Sequence, residues 1–143
     1  MTGYLLDTNV LSEMTKHHPN VSVAAFLSRE EDLWIPVVVT HELEYGVRRL
    51  PHEEKRYRLE LAITVLIAEF SDHIIPLRRD AAEHAAEFRA RAERQRENLT
   101  VADALIAGTA AAEGLVLVTR NVKDFNYLEI EILNPWASER PAR

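Results

Sequence analysis

The sequence predicts an α/β protein, a three-layer α/β/α sandwich around a mainly parallel central sheet, and three observations carry that prediction. Short apolar runs such as Tyr4-Leu5-Leu6 and Leu115-Val116-Leu117-Val118 alternate with longer segments of helical periodicity, the pattern of parallel strands joined by crossover helices. The runs are punctuated by helix-starting residues, prolines and glycines. No repeat or low-complexity linker divides the 143 residues, a length that suits one domain over 1–143.

In chain order, Tyr4-Leu5-Leu6 is a first strand that ends at Asp7, and Thr8 and Asn9 open a helix through Val10 and Leu11. After a polar break from Lys16 to Asn20, a second helix carries Val23, Phe26 and Leu27 towards a buried strand from Leu33 to Val38. Thr40 caps the next helix, roughly His41 to Leu50, which Pro51 stops. The segment from Glu53 to Phe70 restarts as a long helix. Its residues Leu59, Ala62, Ile63, Leu66, Ile67 and Phe70 fall three and four apart on one stripe, so 41–70 reads as a helical hairpin. His73 to Leu77 is a third strand and Asp80 to Arg94 an alanine-rich helix. Thr100 and Asp103 have the spacing of a capping box and open a helix that ends at Gly114. Leu115 to Thr119 is the clearest strand, and Ile130 to Leu133 a weaker last one.

Composition narrows the chemistry. A hydrophobic share of 47% beside 28% charged residues excludes a disordered chain. The absence of cysteine removes disulfides, thiolate zinc sites and cysteine nucleophiles, and fits a reducing compartment, so the cytoplasm is the expected location. No apolar run approaches the roughly 20 residues needed to cross a bilayer, and the opening residues lack signal-peptide character. Seventeen Lys and Arg against 23 Asp and Glu give a formal charge of −6, the wrong sign for holding nucleic acid by bulk electrostatics. A nucleic-acid substrate therefore requires local basic residues and a bound cation.

The polarity of the elements locates the acids. A crossover helix in a parallel sheet begins at the C-terminal edge of the strands. Asp7 closes the first strand, Glu42 falls in the first turn of a helix that follows a strand, and Asp103 opens the helix before the fourth strand. Asp124 follows that strand's end, beyond Thr119 and Asn121. All four therefore lie on the edge where open α/β sheets place their ligands. Each also has a bland explanation: Asp7, Glu42 and Asp103 as helix-start residues and Asp124 as a turn residue. Capping does not account for a cluster, because two carboxylates about 4 Å apart repel by roughly 4 kcal/mol at an effective dielectric of 20. Such repulsion is relieved by protonation or by a cation. Oxygen-only ligands select a hard ion, Mg²⁺ or Mn²⁺, over zinc. His41-Glu42-Leu43-Glu44-Tyr45 has tyrosine where a zinc HExxH motif needs its second histidine, and the sequence has neither a phosphate-binding glycine loop nor a G-x-S-x-G nucleophile elbow.

The same residues resemble a known family, the PIN-domain ribonucleases, and within it the VapC-like toxins of type II toxin–antitoxin pairs. The resemblance spans nearly the whole chain. It is carried by Leu6-Asp7-Thr8-Asn9, by Thr40-His41-Glu42-Leu43 with Gly46, by Ala102-Asp103-Ala104-Leu105-Ile106-Ala107, and by Thr119-Arg120-Asn121 with Asp124-Phe125. Asn134-Pro135-Trp136 resembles the FitB-like branch. The resemblance implies the three-layer fold, a Mg²⁺- or Mn²⁺-dependent endoribonuclease, a small VapB-like antitoxin as partner, transfer RNA as the substrate class and a homodimer as the assembly. Asp7, Glu42 and Asp103 match the family's acidic positions, and either Asn121 or Asp124 completes the metal site. Asn9, Thr119 and Asn121 support the acids.

The mechanism this implies is attack by metal-activated water, with Glu42 or Asp124 accepting its proton, leaving a 5′-phosphate and a 3′-hydroxyl. Arg120 and Lys123 are candidate RNA contacts. Arg78, Arg79, Arg89, Arg91, Arg94 and Arg96 alternate with Asp80, Glu83, Glu87, Glu93 and Glu97, for which ion pairing on a helix surface is the main expectation. A receiver-like signalling domain is a competing reading, since it uses strand-end acids, Mg²⁺, a threonine and a lysine, here Asp7, Thr119 and Lys123. It needs a phospho-accepting aspartate at the end of the third strand, where this chain has Pro76 and Leu77. A catalytically silent module with the same fold, dimerising through the hairpin at 41–70, is the other alternative.

Overall fold

The computed structural model describes residues 2–137; Met1 and residues 138–143, the ends of the expected domain, lie outside the described residues. Five strands, β1 (Tyr4–Leu6), β2 (Leu33–Pro36), β3 (Ile74–Ile75), β4 (Val116–Val118) and β5 (Ile132–Leu133), form one sheet in the order β3-β2-β1-β4-β5. Every pairing is parallel, with Tyr4 opposite both Leu33 and Val116. Helices α1 (Thr8–Glu13), α2 (Val21–Arg29), α3 (Val37–Arg48), α4 (Glu53–Glu69), α5 (Arg79–Arg94) and α6 (Val101–Glu113) cover the sheet. Leu5, Leu6, Ile35, Leu117 and Val118 are fully buried, as strands covered on both faces must be. Among the described residues no helix is long and apolar enough to cross a membrane.

Strand order reverses beside β1. The chain first builds outwards on one side through β2 and β3, then returns to the other side with β4 and β5. The C-terminal ends of β1 and β4 therefore flank the switch point, where the connecting helices diverge to opposite faces and leave a crevice. The Asp7 N–H to Val118 carbonyl bond at 3.0 Å fastens this point, and Thr119 N–H to the Leu133 carbonyl at 3.0 Å ties the end of β4 to β5 beside it.

One segment departs from the sequence reading. The strand expected to run to Val38 ends at Pro36, and Val37, Val38 and Val39 begin α3. Pro36, with φ −73°, is the extended residue ahead of the helix, a position for which its ring is preset. The β preference of three valines yields to burial, because Val39, Leu43 and Val47 lie four apart and all enter the core. Thr40 is consequently inside the helix and caps nothing; its hydroxyl oxygen is buried without a partner. Glu42 lies in the second turn, about 8 Å of axial rise from the start of the helix.

Helices α3 and α4 follow one another from Val37 to Glu69 and pack together. Ile63 is buried and Leu59, Leu66, Ile67 and Phe70 pack against the core. The outer face of α4 also carries apolar groups, with Tyr57, Leu61 and Val65 all more than half exposed. Helices α5 and α6 approach closely at Gly108, where a Cβ would strike the Ala81 carbonyl oxygen and press on the Ala85 nitrogen. Gly114, at φ +66°, ends α6 in the left-handed conformation that lets the chain turn into β4.

Candidate active site

Asp7 is both the cap that the bland reading expected and the centre of a polar network. Its Oδ1 accepts the Thr8 N–H at 2.7 Å, while Oδ2 accepts the Thr119 hydroxyl at 2.7 Å and the Asn9 amide at 3.3 Å. Thr119, fully buried just after β4, also accepts the Asn9 amide at 3.3 Å and the Asn121 N–H at 3.1 Å. The Asn9 side-chain oxygen accepts the Arg120 N–H at 3.2 Å. Asn9 and Thr119 thus tie the start of α1 to the end of β4 across the switch point. Burial pushes the Asp7 carboxyl up from its ordinary range; the bonds from Thr119, Thr8 and Asn9 oppose that rise, and the charge of Glu42 adds to it.

Glu42 reaches this centre from α3. A helical side chain leans towards the N-terminus of its helix, and the Oε1 atom of Glu42 accepts the Thr8 hydroxyl at 2.6 Å. Asp103 arrives in the first turn of α6, held by its backbone N–H, which donates to the Thr100 hydroxyl oxygen at 3.1 Å. The backbone therefore serves the cap and the carboxylate lines the cleft. Burial drives the Asp103 carboxyl up to about 6, with further contributions from the charges of Asp7, Glu42 and Asp124. Asp7, Glu42 and Asp124 are thus near enough for their charges to add to the effect of burial on Asp103.

Together Asp7, Glu42 and Asp103, with Thr8, Asn9, Ser12, Glu13, Lys16, Arg120, Asn121 and Trp136, line an open cleft of about 410 Å³. Asp124 is not in that lining. It is exposed at the end of a single 3₁₀ turn, Val122–Asp124, and acts on Asp103 from the rim, whereas Asn121 faces the cleft. Among the described residues no three Asp, Glu or His side chains close on a common point as a finished ion cage.

Of the two candidate RNA contacts, Arg120 lines the cleft and lies over the Trp136 ring at 5.0 Å, while Lys123 is exposed outside it. Three arginines of α5 follow the ion-pair expectation, since Arg79 meets Glu83 at 3.0 Å, and Arg91 and Arg94 meet Glu87 at 3.8 and 3.4 Å, whereas Arg89 and Arg96 make no ion pair among the described residues. Arg78 pairs with Glu113 at 3.0 Å. The acid that a receiver domain needs after the third strand is absent, since β3 ends at Ile75 and Pro76 follows.

Sequence reasoning overlooked Ser12, Glu13, Lys16 and Trp136 and treated Thr8 only as a helix starter. A signal was available for most of them. Counting from Asn9 in helical steps gives Glu13 and Lys16, and from Thr8 gives Ser12, a polar stripe on a helix whose Val10 and Leu11 are fully buried. Trp136 had no periodic signal, only its place in Asn134-Pro135-Trp136, because it reaches the cleft from the loop after β5.

Comparison with known proteins agrees with the fold. The family model for the PIN domain matches residues 4–129. The VapC ribonuclease Y4jK of Sinorhizobium fredii is 32% identical over 136 residues, covering 92% of this chain and 96% of that protein. The toxin FitB of Neisseria gonorrhoeae is 33% identical over 138 residues, covering 92% and 97%. The crystal structure of FitAcB from Neisseria gonorrhoeae superposes with a TM-score of 0.84 at 30% identity, covering 94% of this chain and 99% of that one. On both sequence and architecture, the chain belongs to the PIN-domain family, among relatives that include VapC ribonucleases and the toxin FitB.

Proposed function

We propose that this protein is an endoribonuclease that uses a divalent cation, Mg²⁺ or Mn²⁺, and acts as the toxin of a toxin–antitoxin pair. The observation that carries the reading is the Asp7 centre at the switch point, joined to Glu42 through Thr8 and sharing its cleft with Asp103, whose carboxyl burial and then the neighbouring charges push up to about 6. The donor set fits a hard cation. All groups are oxygens, and of roughly four acceptor positions on a carboxylate, three on Asp7 are taken by Thr8, Thr119 and Asn9, which leaves one on Oδ1. Acids arranged around a cleft suit Mg²⁺, which keeps several waters and takes only one or two carboxylates directly. Asp7 and Asp103 are the ligands we assign, with Glu42 close behind and Asn121 or Asp124 completing the set.

When bound there, the cation supplies an activated water and neutralises charge on the phosphate under attack. The residues of the chain do the rest. Thr119 and Asn9 fix the rotamer of Asp7, and Thr8 fixes Glu42 through Oε1, leaving Oε2 to accept the proton of the attacking water. The products are a 5′-phosphate and a 3′-hydroxyl, because no pair of groups in the cleft is set to activate an RNA 2′-hydroxyl. Relatives named as a VapC ribonuclease and as toxin FitB support RNA as the substrate and a toxin role, with transfer RNA the first class to test. A VapB-like antitoxin is the partner in this reading. The apolar Tyr57, Leu61 and Val65 on α4 support a homodimer formed through the hairpin, which Leu61→Glu should convert to monomer in sedimentation.

The deciding experiment is induced expression of the wild type beside Asp103→Asn, with growth and RNA ends followed together. Growth arrest and new 5′-phosphate ends are expected from the wild type alone, and purified protein should lose cutting in chelator. Equal arrest by both proteins, or 2′,3′-cyclic phosphate ends, would overturn the proposal.

A further inference from the structure

Beyond the acids, one wall of the cleft carries positive charge, held in place by groups that the proposed chemistry does not use. Glu13, at the end of α1, has a side chain only 6% exposed, yet lines the cleft. Its Oε1 meets the Lys16 ammonium at 2.8 Å and its Oε2 accepts the Asn20 N–H at 2.8 Å. One oxygen of Glu13 is thus engaged by a cation and the other by the chain. The Lys16 ammonium holds its carboxyl below the usual range, and Arg120 contributes from across the wall. Burying a carboxylate is costly unless it is paired and hydrogen-bonded, and what this one achieves is a fixed lysine, 58% exposed at the mouth of the cleft.

Arg120, exposed on the same cleft, is held at its backbone and by an indole. Its backbone N–H is bound to the Asn9 side chain at 3.2 Å, and its guanidinium is stacked over Trp136 at 5.0 Å. Trp136 is set in turn by its own N–H, which donates to the Asn134 side chain at 2.9 Å. A polyanion approaching a chain of charge −6 and a cleft floored by Asp7, Glu42 and Asp103 meets repulsion. Cations whose rotamers are already chosen offset it with little further loss of side-chain entropy.

We propose that Lys16 and Arg120 form a two-cation clamp for the RNA backbone, with Glu13 and Trp136 as its positioning residues, seating a phosphate beside the acids. The clamp rests on the nuclease reading above. It assigns to Glu13 the task of aiming Lys16, and it gives Asn134-Pro135-Trp136 a role as the support of Arg120.

The test measures the first-order rate of cutting of total bacterial RNA, kept below saturation, across a range of potassium chloride at fixed Mg²⁺. Lys16→Met and Arg120→Met should each slow cutting roughly tenfold, the loss of one hydrogen bond to a charged group. Each should also reduce the slope of log rate against log salt by about 0.7, the share of one phosphate contact on single-stranded RNA. At saturating RNA both should approach the wild-type rate, a change in KM rather than kcat. Glu13→Gln should slow the wild type but add nothing in the Lys16→Met background, whereas a merely structural Glu13 would slow both; thermal melting confirms that each variant is folded. Arg79→Met, which alters an ion-paired arginine outside the cleft, should leave the slope unchanged. Unchanged slopes for Lys16→Met and Arg120→Met, an equal change for Arg79→Met, or an effect confined to neutralisation by the antitoxin would overturn the clamp while leaving the nuclease intact. If the wild type cuts no RNA that Asp103→Asn spares, the nuclease reading itself fails and the clamp with it.

Discussion

Asp103→Asn should stabilise this protein at neutral and alkaline pH, although it removes a residue at the centre of the site. The carboxyl is raised from 3.8 to about 6 by burial and by the charges of Asp7, Glu42 and Asp124. At 1.36 kcal/mol per pH unit the rise corresponds to about 3 kcal/mol, which partial solvent exposure reduces to about 1–2 kcal/mol. A carboxyl whose folded pKa lies above its unfolded one binds protons more tightly in the folded protein. Its contribution is therefore most favourable below 3.8 and is lost as pH rises through about 6. Asparagine keeps the shape and lacks the charge, and the helix cap survives because it uses the backbone N–H of residue 103. Urea melts of both proteins from about pH 4 to pH 8 should show nearly parallel stability in acid and a gap of about 1–2 kcal/mol opening towards pH 8. Mg²⁺ at pH 8 should narrow the gap by stabilising the wild type more. If the gap fails to widen between acid and alkali, the four acids do not share a field, and the electrostatic basis of the site is wrong.

Thr119→Val should cost about 1–3 kcal/mol, the price of a buried hydrogen bond lost from an ionised partner, with a deficit that grows with pH because the bond favours charged Asp7; denaturant melts at two pH values check it. Thr8→Val leaves Glu42 without its 2.6 Å partner and should lower RNA cutting about 10–100-fold, as loss of an outer-shell partner does, while Thr8→Ser restores most of the rate. Gly108→Ala places a methyl against the Ala81 carbonyl and the Ala85 nitrogen and should cost about 1–3 kcal/mol in thermal melts; an unchanged Tm would mean that α5 and α6 separate freely.

The fold class was legible because α/β alternation writes itself twice, in apolar runs and in the capping residues that follow them. Asn20 and Thr100 cap α2 and α6 through their side chains as their residue types suggest. Where the reading failed, at Val37 to Thr40, local preference and tertiary burial pointed in different directions. Val39, Leu43 and Val47 are four apart, but this helical spacing was masked by a continuous valine run that a strand explains equally well. Strand order was not legible at all. Nothing in the periodicity of Tyr4–Leu6 states that it lies at the centre of the sheet, with β2 on one side and β4 on the other.

That central place is what gives the acids their unequal roles. A strand flanked by parallel neighbours on both sides delivers its last residue to the switch point, so Asp7 is 3% exposed and held by three donors, while Asp124, on a turn after β4, remains at the rim. The sequence reading could find both, because polarity places each at the same edge. Polarity alone could not rank them, because depth depends on which strands lie alongside; only the family resemblance set Asp7 ahead of Asp124. The same limit concealed Glu13 and Trp136: one is a buried charge on a one-and-a-half-turn helix, the other a loop indole, and only their meeting at Lys16 and Arg120 makes either more than a local detail. Residue type thus identifies groups able to do chemistry, whereas topology decides which of them are fixed well enough to do it.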